Sequence, residues 1–210
     1  MVEKNVKTDF SPKVFTPKID KTSFVHKLAS VIGNVILGKN IMVAPTACVR
    51  GDEGQPICVD DDANIQDGVV IHALETFSHG KEVEKNICVV DGSKYAVYVG
   101  KRVSLAHQAQ IHGPAVVLED SFIGMKVLVF KARVGRGCVV EPGAIVLGVS
   151  VPDGRYVPTG MVLKSQKDAD ALPQITEEYP FKDLNKGVVH VNTSLAKAYL
   201  AAGKKKVSKK

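Results

Sequence analysis

The chain has 210 residues, 45% of them hydrophobic and 24% charged, the composition of an ordinary soluble globular protein. No apolar run approaches the ~20 residues of a membrane helix, so a membrane is excluded as a partner of that kind. The formal charge of +6 is carried largely by the final "KKKVSKK", which lacks interleaved aromatics and reads as a solvated end rather than a nucleic-acid arm.

Residues 1–22 read as an extended arm. They contain no apolar h-region, so no signal peptide is read and the cytoplasm is the expected compartment. The four cysteines, Cys48, Cys58, Cys88 and Cys138, form no CxxC pair, and free thiols are expected.

From residue 23 to 163 a period of six dominates. Aliphatic residues recur at Val43 and Val49, then at Val59, Ile65 and Ile71. They resume at Val99, Leu105, Ile111, Val117, Ile123 and Val129, and after one five-residue step at Val134, Val140 and Val146. A small residue often follows, as at Gly38, Gly100, Gly124 and Gly135. A helix needs a period of about 3.6 and an ordinary strand one of 2, so a strict six fits neither. It fits short parallel strands on the three sides of a triangular coil, with about 18 residues per turn and coils stacked ~4.8 Å apart. The fold class expected is therefore all-β: a left-handed parallel β-helix of hexapeptide repeats.

The repeat breaks at "GDEGQPIC", Gly51–Cys58, and at a long loop over about residues 74–96. Long loops in a regular solenoid are often functional. After Val146 the pattern fades, and "SVPDGRYVPTG" reads as turns. Residues 164–203 read as a helical segment. It holds a short helix near Gln166–Ala171 and a longer one from Leu184 to Ala202, with Val188, Val191, Leu195, Ala198 and Tyr199 on one face. That helix is expected to lie along the coils. A basic tail closes the chain at 204–210.

The repeat also gives coordinates to the histidines. Ile71 and Ile111 fill the same side of successive coils, so His72 and His112 point outward from one face, one coil apart. Two imidazoles so placed can share a metal. His107 follows Leu105 by two residues and falls on a different face. It reaches a metal held by His72 and His112 only if that metal belongs to a neighbouring chain, and a triangular prism suits a threefold assembly. Three imidazoles with an open fourth position are the ligand pattern of catalytic zinc. Outward histidines on a β-helix can also be plain surface residues. His26 and His79 read that way.

"RGDEG" at Arg50–Gly54, "NIQDGVVIHALE" at Asn64–Glu75 and "SLAHQAQIHGP" at Ser104–Pro114 resemble the γ-class carbonic anhydrases, most of all their archaeal methanogen prototype. The likeness runs on through "YAVYVG", "DGRYVPTGMV" and "VVHVN". It implies reversible hydration of CO2 to bicarbonate and a proton by a metal-bound hydroxide, a carbonate dehydratase (lyase) activity. It implies a homotrimer with one divalent metal per subunit, held by His72 and His112 of one chain and His107 of the next. Zinc is implied, with iron(II) or cobalt as substitutes. Glu75 matches the family's proton shuttle, although it also reads as a solvated loop carboxylate beside Glu82 and Glu84. Glu53 matches a second carboxylate near the site. Gln66 is placed to hydrogen-bond the reactive hydroxide, Asn64 to orient that amide, and Asn192 to polarise CO2. Arg50, Asp52 and Asp67 match an interface ion-pair cluster, for which a structural role is as good a reading as a catalytic one.

The chain departs from that pattern in places. Phe10 and His190 stand where the prototype has tryptophan and tyrosine, and Lys81 and Lys85 make the loop less acidic. Two other functions share the repeat: a hexapeptide-repeat acyltransferase, and a non-catalytic γ-type scaffold. The first needs no three-histidine site. The second typically lacks the loop carboxylates, which are present here as Glu53 and Glu75.

Overall fold

A computed structural model describes residues 1–207, with side chains to Gly203. The side chains of the basic tail, 204–210, lie outside the described residues. Three parallel sheets of eight, seven and seven short strands wrap one core. The period of six is visible in the register. Leu105 stacks on Ile123 and Ile111 on Val129, each eighteen positions on. The aliphatic residues that mark the hexads, from Val43 to Val146, are all fully buried. Burying one such side chain is worth about 1.5–3 kcal/mol, and the core is their sum along the prism axis.

The corners explain the small residues that follow the aliphatics. A Cβ on Gly100 would lie 2.7 Å from the backbone nitrogen of Glu119 in the next coil. At Gly124 it would lie 2.7 Å from the Val140 carbonyl. Only hydrogen fits there without moving a neighbouring coil.

Two features differ from the sequence expectation. The hexads do not fade after Val146 within the stretch read as β-helix to residue 163, because Val151, Val157 and Leu163 continue them and are buried to 2% exposure or less. Polar turn residues such as "PDGRY" hide the period there without stopping it. The second difference lies within 1–22. Val2–Glu3 pairs with Val31 and Ile32, and Lys18–Ile19 pairs with Ile36 and Leu37. Between them buried Asn5 gathers the chain. Its Nδ2 donates to Ser11 Oγ and the Lys13 carbonyl, and its Oδ1 accepts the Phe15 N–H at 2.6 Å.

The long helix, α1 (Leu184–Val207), lies against the sheet that holds Asn64–Ile65 and Ser104–Leu105. Ala196 is fully buried at the contact, Asn185 Nδ2 donates to the Arg102 carbonyl at 2.8 Å, and Tyr199 stacks on Phe24 with ring centroids 4.9 Å apart. The predicted apolar face is only partly covered. Val191 and Leu195 stay 53% and 40% exposed, because they border an open groove between helix and sheet. Among the described residues no helix is long and apolar enough to cross a membrane. The four cysteines are free thiols. Burial, helped by Asp60 and Asp61, pushes the Cys58 thiol up to about 12, so it is protonated at neutral pH.

Candidate metal centre

The eight-stranded sheet carries the first group. Strands Val70–His72 and Gln110–His112 pair in register, Ile71 on Ile111 and His72 on His112. The two outward rings stand edge to face with centroids 5.4 Å apart. The next strand on this face, Cys48–Gly51, delivers the acidic turn beside them. His72 Nε2 lies 3.1 Å from Glu53 Oε1 and 3.3 Å from Asp52 Oδ1. Arg50 pairs with Asp52 at 2.8 Å and approaches His72 Nδ1 at 3.4 Å. His112 donates from Nδ1 to the Gly113 carbonyl at 3.2 Å, which leaves the lone pair on Nε2. Burial holds the His112 imidazole below its ordinary pKa, with His72 and Arg50 pushing the same way. A neutral imidazole is the form that binds a metal.

These groups fit a divalent cation. The ligand atoms of Asp52, Glu53 and His72 all lie within 4.8 Å of one another. An imidazole flanked by carboxylates, with a second neutral imidazole one coil away, is a donor set for zinc or a similar ion.

His107 is not in this group. It sits on the corner turn after Ser104–Leu105, on the sheet that faces α1. Its side chain is 57% exposed, against 12% for His72. His107 Nδ1 lies 3.1 Å from Asp67 Oδ2, the residue one coil below on the same corner. A carboxylate on Nδ1 fixes the tautomer and leaves Nε2 as the free nitrogen. Arg50 pairs with Asp52 on the other face, so the three residues read as one ion-pair cluster are divided within the chain.

Beside His107 runs a buried amide relay. Asn64 and Ser104 pair in register and are both fully buried. Asn64 Nδ2 donates to Ser104 Oγ at 2.8 Å, and Gln66 Nε2 donates to Asn64 Oδ1 at 3.0 Å. The Gln66 carbonyl oxygen is thereby left as the outward end. Gln66, Asp67, His107 and Asn192 line one groove of about 700 Å³ under α1. Asn192 turns its Nδ2 back to the Val188 carbonyl at 2.9 Å. His190 is exposed on the same helix and is absent from the groove lining.

Glu75 opens the long loop and is exposed. Its backbone carbonyl is held by Asn86 Nδ2 at 2.7 Å. Glu82 is tied down elsewhere, by Gln55 Nε2 at 2.8 Å and by Lys94. Ser104, Thr76 and Asn86 carry weight here and were not singled out from sequence. Only Ser104 had a signal, since it precedes Leu105 as Asn64 precedes Ile65.

No protein-family model matches the chain. A carbonic anhydrase of Methanosarcina thermophila is 52% identical over 199 residues, covering 94% of this chain and 81% of that protein. The mitochondrial gamma carbonic anhydrase 2 of Arabidopsis thaliana is 34% identical over 70% of this chain and 46% of that protein. The chain belongs to the γ-class carbonic anhydrases. A γ-class carbonic anhydrase is an enzyme of CO2 hydration and implies a bound metal. The carboxysome assembly protein CcmM of Nostoc sp. is 41% identical over 95% of this chain, which spans 34% of that longer protein. Among solved structures, a hexapeptide transferase family protein from Anaplasma phagocytophilum superposes with a TM-score of 0.68 at 24% identity, over 88% of this chain and 93% of that one. That likeness is one of fold.

Proposed function

We propose that this carbonic anhydrase works as a homotrimer with one divalent metal at each subunit boundary. His72 and His112 of one chain and His107 of the next hold the metal. The observation that carries this is the division of the histidines. Two stand in register on one face, and the third waits on an exposed corner of another with only its Nε2 free. Zinc suits three neutral imidazoles, and iron(II) or cobalt can take the same ligands. A divalent metal held by these three imidazoles would supply Lewis acidity, enough to bring the pKa of water from about 15.7 to about 7.

The chain's own groups do the rest. The Gln66 oxygen, held outward by Asn64 and Ser104, accepts a hydrogen bond from the reacting water and orients it. Asn192, in the same groove, meets CO2 with its amide. Glu53, beside His72, takes the released proton, and exposed Glu75 passes it to solvent. Asp67 orients His107, and Arg50 with Asp52 holds the acidic turn against the histidine face.

The decisive experiment pairs metal analysis of anaerobically purified protein with CO2 hydration by Glu75→Ala. Loss of kcat with kcat/KM nearly intact, partly restored by imidazole buffer, is expected, because proton release follows the CO2 step. Equal loss of both, without rescue, would give Glu75 a structural role. The likeness to CcmM favours one second reading, a scaffold without catalysis. Absence of hydration in fully metal-loaded protein would select it.

A further inference from the structure

Thr76 is fully buried although it stands in the long loop. Its N–H donates to the Glu53 carbonyl at 2.9 Å, and its hydroxyl donates to the same oxygen at 2.8 Å. The hydroxyl also accepts the Gln55 N–H at 2.6 Å. Both capacities of one side chain are thus spent on the acidic turn that carries Glu53. Gly54, between Glu53 and Gln55, has a φ of +105°, and a Cβ there would collide with Thr76 Oγ1 and lie 2.6 Å from the Phe77 ring, so the turn closes tightly on Thr76.

Asn86 grips the other end. It is 1% exposed, and its Nδ2 donates to the Glu75 carbonyl at 2.7 Å. Backbone bonds from Asn86 to Val83, and from Val83 to the Thr76 carbonyl, close the ring. Asn86 Oδ1 is buried with no protein donor. A buried amide oxygen left so is costly, and leucine would fill the space without that cost. What asparagine supplies that leucine cannot is the hold on Glu75.

We infer that Thr76 and Asn86 are positioning residues, a buried clasp that fixes the backbone of Glu53 to that of Glu75. The carboxylate beside His72 and the carboxylate that meets solvent then keep a set separation while the proton leaves. This rests on the shuttle role proposed above for Glu75.

Steady-state CO2 hydration by the full-length, metal-loaded protein tests it, using Thr76→Val, Thr76→Ser and their combinations with Glu75→Ala. Thr76→Val should lower kcat about tenfold while kcat/KM stays within about twofold, with metal content unchanged and imidazole restoring the loss. Thr76→Ser, which keeps the hydroxyl, should restore most of kcat. In the Glu75→Ala background Thr76→Val should cost nothing further, because both changes break one relay. Asn86→Leu carries the same expectation and replaces Thr76→Val if that variant does not fold. Multiplying losses, or a joint fall of kcat and kcat/KM without rescue, would overturn the clasp. Loss of kcat in Glu75→Ala alone, with Thr76→Val and Asn86→Leu unaffected, would overturn the clasp and leave the shuttle standing. Full kcat in Glu75→Ala would overturn the shuttle and the inference with it.

Discussion

His72 and His107 belong to the same proposed site, yet their surroundings in the chain are opposite. His72 is 12% exposed and already faces two carboxylates and an arginine. His107 has a side chain 57% exposed, paired among the described residues with Asp67. The histidine face is sheltered and charged. The corner is open, backed by a buried amide relay and bordered by the apolar groove under α1. Each half has what the other lacks. In the proposed trimer one would supply two imidazoles and carboxylates for proton traffic, the other an imidazole and neutral amides for orientation. A site assembled from unlike halves needs neither half to pay for the whole in one coil.

The largest effects should come from removing ligands. His72→Ala, His107→Ala and His112→Ala should each lose metal and nearly all hydration activity, read by metal analysis and stopped-flow assay. If His107→Ala kept its metal, the corner would not belong to the site. Next comes the carboxylate behind the corner histidine. Asp67→Ala should weaken metal binding or activity about 10–100-fold, the usual cost of losing the group that orients a ligand. An unchanged affinity would make the Asp67–His107 contact incidental.

A smaller effect is expected within the relay. Ser104→Ala strands the fully buried Asn64 Nδ2 and should cost about 1–3 kcal/mol in denaturant unfolding. It should also lower kcat/KM while metal is retained. Stability lost without any change in kcat/KM would remove the relay from catalysis.

The smallest effect concerns protons on the sheltered face. His112 is held below its ordinary pKa, chiefly by burial. Its imidazole resonances in metal-free protein should titrate below ~6.5. The unfolded chain then binds the extra proton first, so stability is full above ~6.5 and falls as pH drops through the lowered value. A midpoint above ~6.5 would contradict the sheltering.

Most of the fold was legible because each hexad declares its inward residue. The register of Ile71 on Ile111 places His72 on His112 by counting alone, and the corner position of His107 follows in the same way. The partners were not legible. Asp67 falls under His107 by the count that stacks Ile65 on Leu105, although the count does not say that the side chains meet, and Thr76 meets Glu53 through a contact that no period marks. The last coil was hidden by polar turns around Val151 and Val157, and α1 was read as burying Val191 and Leu195. Helical periodicity says which residues share a face but not what covers it.

Sharing of the metal between chains is tested most directly by mixing His72→Ala with His107→Ala through co-refolding. In a cyclic trimer with random assembly, about one quarter of sites should regain three ligands. Metal and activity should rise together toward that fraction. Mixing His72→Ala with His112→Ala should rescue nothing, since both ligands come from one chain. Inactivity of the first mixture, with mixed trimers confirmed, would contradict a shared site, and recovery in the second would contradict the pairing of His72 with His112.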